Sequence, residues 1–318
     1  MKFAEVSGCN KPVSKIIFGC SGNAMRRGKN CDEILDAAFS AGINSFDTAR
    51  GYGASEWTLG AWINRRGIRD DVTVISKGAL HGLFGNNRVN EKCIRADFEK
   101  SITALNCGYI DIYLLHRDNP KVPAGEFVGL LNEFKSKGYV KAFGVSNWTY
   151  ERIKGANAYA EKHNLAPFTV SEPHFSLAVA GRWTWIGCTS VTGEKHAGER
   201  EWYKNTGLPL FAFSPLGGGF LSGRVRGDDI KRTSKSMPHA MRVTFLSEEN
   251  AKRLRRLEVL SRETGFTVAQ IALSYVINSG LNAFAITGSN RVQTVVDSAA
   301  AADITLTAEQ INYLENGQ

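Results

Sequence analysis

The chain lacks any window approaching the roughly 18 uninterrupted apolar residues of a transmembrane helix. Its N-terminus, MKFAEVSGCN, has neither an apolar core nor a small-residue cleavage site. No secretory signal is therefore expected, and the expected compartment is the cytoplasm. Prolines number only eight in 318 residues, and no linker rich in Pro, Ser or Gly divides the chain. One domain spanning residues 1–318 follows as the expectation. The six cysteines (Cys9, Cys20, Cys31, Cys93, Cys107 and Cys188) form no C-x-x-C pair. No His or Cys sits at metal-ligand spacing, so free thiols and no metal are expected. Basic residues outnumber acidic ones by 39 to 31, giving +8, yet no basic run is longer than a pair such as Arg26-Arg27. A dedicated nucleic-acid surface is not expected, while a small phosphorylated ligand would suit that surplus. What remains, 43% apolar and 22% charged residues, is a globular composition that excludes a disordered chain.

Strand and helix patterns alternate throughout. Short apolar runs predict strands at 14–19, 44–49, 72–76, 110–115, 140–145, 169–172, 208–213 and 283–287. Helical patterns follow at 31–41, 55–66, 90–105, 127–138, 149–163, 199–206, 248–265, 267–279 and 291–301. Runs apolar on both faces suit a parallel sheet covered by helices. Eight right-handed crossovers close most naturally into a (β/α)₈ TIM barrel of the α/β class. A doubly wound sheet is the alternative. Its usual G-x-G-x-x-G is absent, because the first turn reads Gly19-Cys20-Ser21-Gly22-Asn23. Three stretches, 80–88, 178–198 and 217–244, are long enough to be lids or binding loops.

Barrel chemistry sits at the C-terminal ends of the strands. There the second strand supplies Asp47 and, five residues on, Tyr52; the third supplies Lys77; the fourth supplies His116. A free phenol titrates near ~10 and is a poor acid at neutral pH. A lysine cation beside it would stabilise phenolate, and Asp47 would keep that cation charged. His116 could then hydrogen-bond a carbonyl oxygen, which makes the set a proton donor aimed at an oxyanion. Taken singly, each has a plainer reading: Asp47 as a turn cap, Tyr52 as a packed loop ring, Lys77 as a solvated cation. Their joint placement carries the argument.

The motifs Phe46-Asp47-Thr48-Ala49, Tyr52-Gly53, Ser55-Glu56, Ser76-Lys77, Leu114-Leu115-His116-Arg117, Gly144-Val145-Ser146-Asn147, Phe213-Ser214-Pro215-Leu216 and Thr287-Gly288-Ser289 resemble, in order and spacing, the aldo-keto reductase superfamily. That resemblance runs from about Lys11 to Leu314. It implies a barrel oxidoreductase that reduces aldehydes and ketones with a nicotinamide cofactor, usually NADPH. By the same resemblance Tyr52 is the general acid, Lys77 and Asp47 lower its pKa, and His116 orients the carbonyl. Ser146 and Asn147 would bind the nicotinamide carboxamide, Phe213 would stack on the ring, and Ser214, Leu216 and Gly218 would cover the pyrophosphate. Glu172 stands where the family commonly has a carboxamide-binding Gln. An ionised carboxylate can only accept there, so either the contact is one-sided or Glu172 turns elsewhere. Ser289 and Arg291 remain for a 2′-phosphate at a helix start. NADPH is therefore favoured, with NADH left open.

The substrate side is built by loops. Arg50 could face an anionic or polyhydroxylated substrate, or be salt-bridged. Trp183 and Trp185 could stack on a ring or anchor their loop, and Trp148 is another candidate wall. Trp57 and Trp62 are expected to pack, and His174 to be structural. The expected partner is a small carbonyl or sugar substrate, with no nucleic acid and no membrane; the oligomeric state stays open. Two alternatives stand beside reduction: a regulatory NADP-binding barrel like the potassium-channel β subunits, and a sugar epimerase or dehydrogenase using the same cofactor.

Overall fold

Successive side chains of a strand point to opposite faces, so a strand that is apolar at every position needs cover on both. The computed structural model describes residues 1–82, 87–182 and 186–318. A short antiparallel hairpin, β1 (Phe3–Ala4) and β2 (Val13–Ser14), leads into the first barrel strand. Eight parallel strands then close into a barrel: β3 (Ile16–Gly19), β4 (Ser45–Asp47), β5 (Thr73–Gly78), β6 (Ile110–Leu115), β7 (Val140–Ser146), β8 (Ser171–Glu172), β9 (Leu210–Ala212) and β10 (Ala283–Thr287). Each pairs with the next in sequence, and β10 closes on β3. The expected TIM barrel is the fold found.

Ile17, Ile75, Ile112, Leu114, Ala142, Phe211 and Phe284 fill the barrel interior. Val6 and Val13 of the hairpin join them, at the end where β3 begins. The alternate residues Phe18, Phe46, Val74, Tyr113 and Phe143 belong to the second core, between strands and helices. The same alternation fixes the site. Lys77 lies one pleat beyond Ile75, and His116 one pleat beyond Leu114, so both continue inward-facing rows at the C-terminal mouth.

The structure departs from expectation in small ways. The strand predicted at 72–76 runs to Gly78 and so includes Lys77. The one predicted at 208–213 shrinks to Leu210–Ala212, since Pro209 has no N–H to pair. Neither the hairpin nor a last helix, Ala308–Asn316, was expected. Two-residue strands carry no period. The helix did carry a signal, the Thr307–Gln310 capping box, which the structure forms. The long loops 178–198 and 217–244 are tied together. Gly181 N donates to Thr244 O at 2.8 Å, and the Thr244 hydroxyl donates to Arg182 O at 3.1 Å.

Close strand packing leaves no room at Gly144 in β7, where a Cβ would lie 2.0 Å from the Val170 carbonyl oxygen. Backbone cannot yield as a flexible side chain can. Gly144→Ala should therefore destabilise the fold by roughly 1–3 kcal/mol or more. A thermal melt matching the unsubstituted protein would contradict the packing described here.

Candidate active site

The turn after β4 brings Tyr52 back over the barrel mouth. Tyr52 N donates to Ala49 O at 2.9 Å, and Arg50 N donates to Lys77 O at 2.8 Å, pinning the turn to β5. Gly53 (φ 61°) sits so close to the Arg26 carbonyl, 2.6 Å from an added Cβ, that a side chain would not fit. The hydroxyl of Ser55 donates to Cys20 O at 2.7 Å rather than capping its helix.

Lys77 has no exposed surface. Its ammonium is ion-paired and hydrogen-bonded to Asp47 Oδ2, donates to Thr48 O at 3.1 Å, and lies 3.4 Å from Glu172 Oε2. It also lies 5.5 Å from the centre of the Tyr52 ring. The imidazole of His116 meets that ring edge-on, with centroids 5.7 Å apart. The four residues expected at the mouth, Asp47, Tyr52, Lys77 and His116, are thus gathered in one place.

Their titration follows from burial and mutual charge. Desolvation opposes the Lys77 ammonium, but Asp47 and Glu172 outweigh it and hold the lysine charged, above its ordinary range. Burial drives His116 well below the usual histidine range, reinforced by the cations of Lys77 and Arg117, so its ring is neutral. Its buried Nδ1 has no hydrogen-bond partner among the described residues. For Tyr52 the sequence expectation of a lowered pKa is not met as a net effect. Burial pushes the phenol up to about 12, and Lys77 is the strongest influence in the opposite direction. Tyr52 as a residue is only half-buried, so its remaining contact with solvent tempers that rise.

The residues expected around a cofactor line the neighbouring strand ends. Ser146 Oγ donates to Glu172 O at 2.9 Å. Asn147, in a left-handed conformation (φ 63°), donates from Nδ2 to Ser146 Oγ at 2.8 Å and to His116 O at 3.4 Å, while its Oδ1 accepts from Thr189 N at 3.1 Å. These two side chains knit the strand ends together. Glu172 turns toward Lys77. Phe213 lies half-buried beyond β9, its ring 5.7 Å from that of His174. Ser214 (φ 50°) begins a turn through Leu216 into Gly217, Gly218 and Gly219, all at positive φ. At Gly218 a Cβ would lie 2.3 Å from Met241 Sδ. Past the adjacent strand β10, Ser289 Oγ accepts from Arg291 N at 3.1 Å. Arg291 is exposed at the start of the helix Val292–Ala300, with no acidic partner among the described residues. Gly288 packs against β3, where a Cβ would lie 2.3 Å from Gly19 O. A larger residue is excluded there on steric grounds.

The structure decides several substrate-side alternatives. Arg50 is salt-bridged to the buried Glu56 at 2.8 Å, the second of its two expected readings. Trp148 is wholly buried, donates to Arg117 O at 3.1 Å and packs on Phe127 and Phe168, so it is no pocket wall. Trp62 packs as expected, but Trp57 is 56% exposed. His174 is buried and hydrogen-bonded with Ser190 Oγ at 2.9 Å, a structural role. Trp183 and Trp185 lie outside the described residues.

Sequence reasoning missed Arg117. This buried guanidinium donates to His116 O at 2.8 Å, to Ile186 O at 3.0 Å and to Cys188 Sγ at 3.4 Å, with no carboxylate partner among the described residues. It steadies the backbone of His116 and ties the 186–188 loop to it. Its adjacency to His116 was the available signal.

Comparison with known proteins agrees with this fold. A model of the Aldo/keto reductase family matches residues 16–317. Norsolorinic acid reductase B of Aspergillus parasiticus is 29% identical over 300 residues, covering 89% of this chain and 73% of that protein. Aldo-keto reductase str7 of Strobilurus tenacellus is 27% identical over 289 residues, covering 88% and 78%. A probable voltage-gated potassium channel β subunit of Arabidopsis thaliana is 25% identical over 317 residues, covering 96% and 92%. The crystal structure of a thermostable aldo-keto reductase with the inhibitor epalrestat superposes with a TM-score of 0.73 at 22% identity, covering 99% of each chain.

The buried charges make one stability prediction. Lys77→Met strands the buried carboxylate of Asp47 and should cost about 3–5 kcal/mol in denaturant unfolding. Adding Asp47→Asn should recover a large part of that loss. A double variant no more stable than Lys77→Met would contradict the pairing.

Proposed function

The chain belongs to the Aldo/keto reductase family, and on that premise we propose that it reduces a small aldehyde or ketone to an alcohol, using NADPH and a proton from Tyr52. Nicotinamide-dependent carbonyl reduction is the general activity of this family. A sugar-like substrate belongs to the same reading. The observation that carries it is the convergence of the Tyr52 ring, the Lys77 ammonium and the His116 imidazole on one mouth.

The residues present fit a dinucleotide. In the turn of three positive-φ glycines after Ser214, Gly217 N and Gly219 N donate back to Ser214 O and Leu216 O, while Gly218 N has no such acceptor among the described residues and would be the amide offered to pyrophosphate. Ser214, Leu216 and Gly218 would hold that group, Phe213 would offer its face to the nicotinamide, and Ser146 and Asn147 would contact the carboxamide. Ser289 and the exposed Arg291, at a helix N-terminus, would hold a 2′-phosphate, which favours NADPH. A bound nicotinamide supplies the hydride.

The chain's own residues handle the proton. A neutral His116 offers a ring N–H to the substrate oxygen and fixes its direction toward Tyr52. Tyr52 gives its hydroxyl proton to that oxygen as negative charge develops on it. The phenolate left behind faces the Lys77 ammonium, which Asp47 keeps charged and oriented. Burial alone makes the phenol a weak acid, so the lysine supplies what burial removes.

With NADPH and 4-nitrobenzaldehyde, the purified protein should consume nicotinamide absorbance. Tyr52→Phe should lower kcat by at least ~10²-fold while cofactor binding persists, the usual scale for losing a proton donor. Full turnover in that variant would remove Tyr52 from the role. Arg291→Ala should weaken NADPH binding roughly tenfold, about 1.4 kcal/mol, and leave NADH nearly untouched. Equal losses for both cofactors, read by fluorescence titration, would withdraw the preference for NADPH.

A further inference from the structure

The least expected contact in the site is that of Glu172. Its Oε2 is buried, lies 3.4 Å from Lys77 Nζ, and accepts no hydrogen bond from any described residue. Asp47 Oδ2 is bonded to that same nitrogen, so the two carboxyl groups crowd one cation. One ammonium is therefore flanked by two carboxylates, each with at most about 5% of its side chain exposed. Like charges this close do not both ionise readily, and two carboxyl groups can hydrogen-bond only if one carries a proton.

We propose that Glu172 is a positioning residue of the acid–base cluster, a carboxylic acid that keeps its proton, donates it in a hydrogen bond toward Asp47, and so leaves Lys77 one carboxylate partner instead of two. This deepens the reading of Tyr52 as proton donor and rests on it. The groups of charge facing Glu172 are Asp47 from the end of β4, Tyr52 from the turn beyond, Lys77 from β5, and Arg117 following β6. The flanking strand ends contribute Ser146 and, past β9, Phe213, which carry none.

Burial and the Asp47 carboxylate raise the Glu172 carboxyl to about 8, against the pull of Lys77 and, more weakly, Arg117. The consequence for Tyr52 has a definite sign. Ionised Glu172 raises the phenol, and neutral Glu172 does not. Reduction should therefore be favoured below pH about 8, where Glu172 keeps its proton, and should fall as pH rises and Glu172 ionises. A Gln at this position would carry no such limb.

Infrared spectroscopy of the protein alone, without cofactor, tests the proton directly. At neutral pH the wild type should show the carbonyl stretch of one buried carboxylic acid that fades as pH passes about 8 and is missing from Glu172→Gln. Labelling glutamate with ¹³C in the wild type should shift that band, which separates it from Asp47, while fading only past pH about 8 separates it from Glu199, whose carboxyl is raised to about 7. A band unmoved by glutamate labelling, or no carboxylic acid band at neutral pH, would overturn the proposal. In the reductase assay the alkaline limb of kcat/KM should move to higher pH in Glu172→Gln; an unmoved limb would also count against it. A wild type that reduces no carbonyl would sink the Tyr52 reading and leave the proton assignment standing on its spectrum.

Discussion

An ammonium with no exposed surface persists only where carboxylates answer its charge, because desolvating a lone cation costs several kcal/mol. Lys77 is such a group, and the rest of the site is arranged around it. Asp47 binds it from β4, the Thr48 carbonyl accepts its second hydrogen bond, and Glu172 approaches from the far side of the barrel. The Tyr52 turn is pinned to the strand that carries the lysine, through Arg50 N and the Lys77 carbonyl. A shift of this one side chain would leave the buried Asp47 carboxylate unanswered and one phenol without its cation.

The barrel makes this affordable by placing this cluster at the last pleat of its strands. Below it the inward rows are isoleucine, leucine, alanine and phenylalanine, packed from both ends. Above it, short-range hydrogen bonds hold the rim. Asn147, in its left-handed conformation, links the His116 carbonyl, Ser146 and Thr189. Arg117 ties the same carbonyl to the 186–188 loop. His116 thus points at Tyr52 from a backbone fixed on both sides. A side chain meant to hold a fixed direction needs such backing.

The barrel and the four mouth residues were legible in the sequence because both depend on local rules. Short apolar strands announce a covered parallel sheet, and alternation carries Lys77 and His116 inward without knowledge of any distant contact. What escaped depends on partners far apart in the chain. The approach of Glu172 to Lys77 is a long-range pairing that no spacing encodes. Trp148 read as a pocket wall because its position beside Asn147 was visible, while its burial against Phe127 and Phe168 was not. The direction of the Tyr52 shift was missed for the same reason: a lysine nearby can be inferred from motif order, but the amount of protein around the phenol cannot.

The account's central claim is therefore a balance, with burial making Tyr52 a weaker acid and Lys77 opposing it. Ultraviolet difference titration, with Tyr52→Phe as the blank, would follow this one phenol in the wild type and in a protein carrying Asp47→Asn with Lys77→Met. If the ammonium acts as described, the Tyr52 midpoint lies at higher pH in the neutralised protein. A midpoint that stays put or falls would show that Lys77 does not tune the phenol.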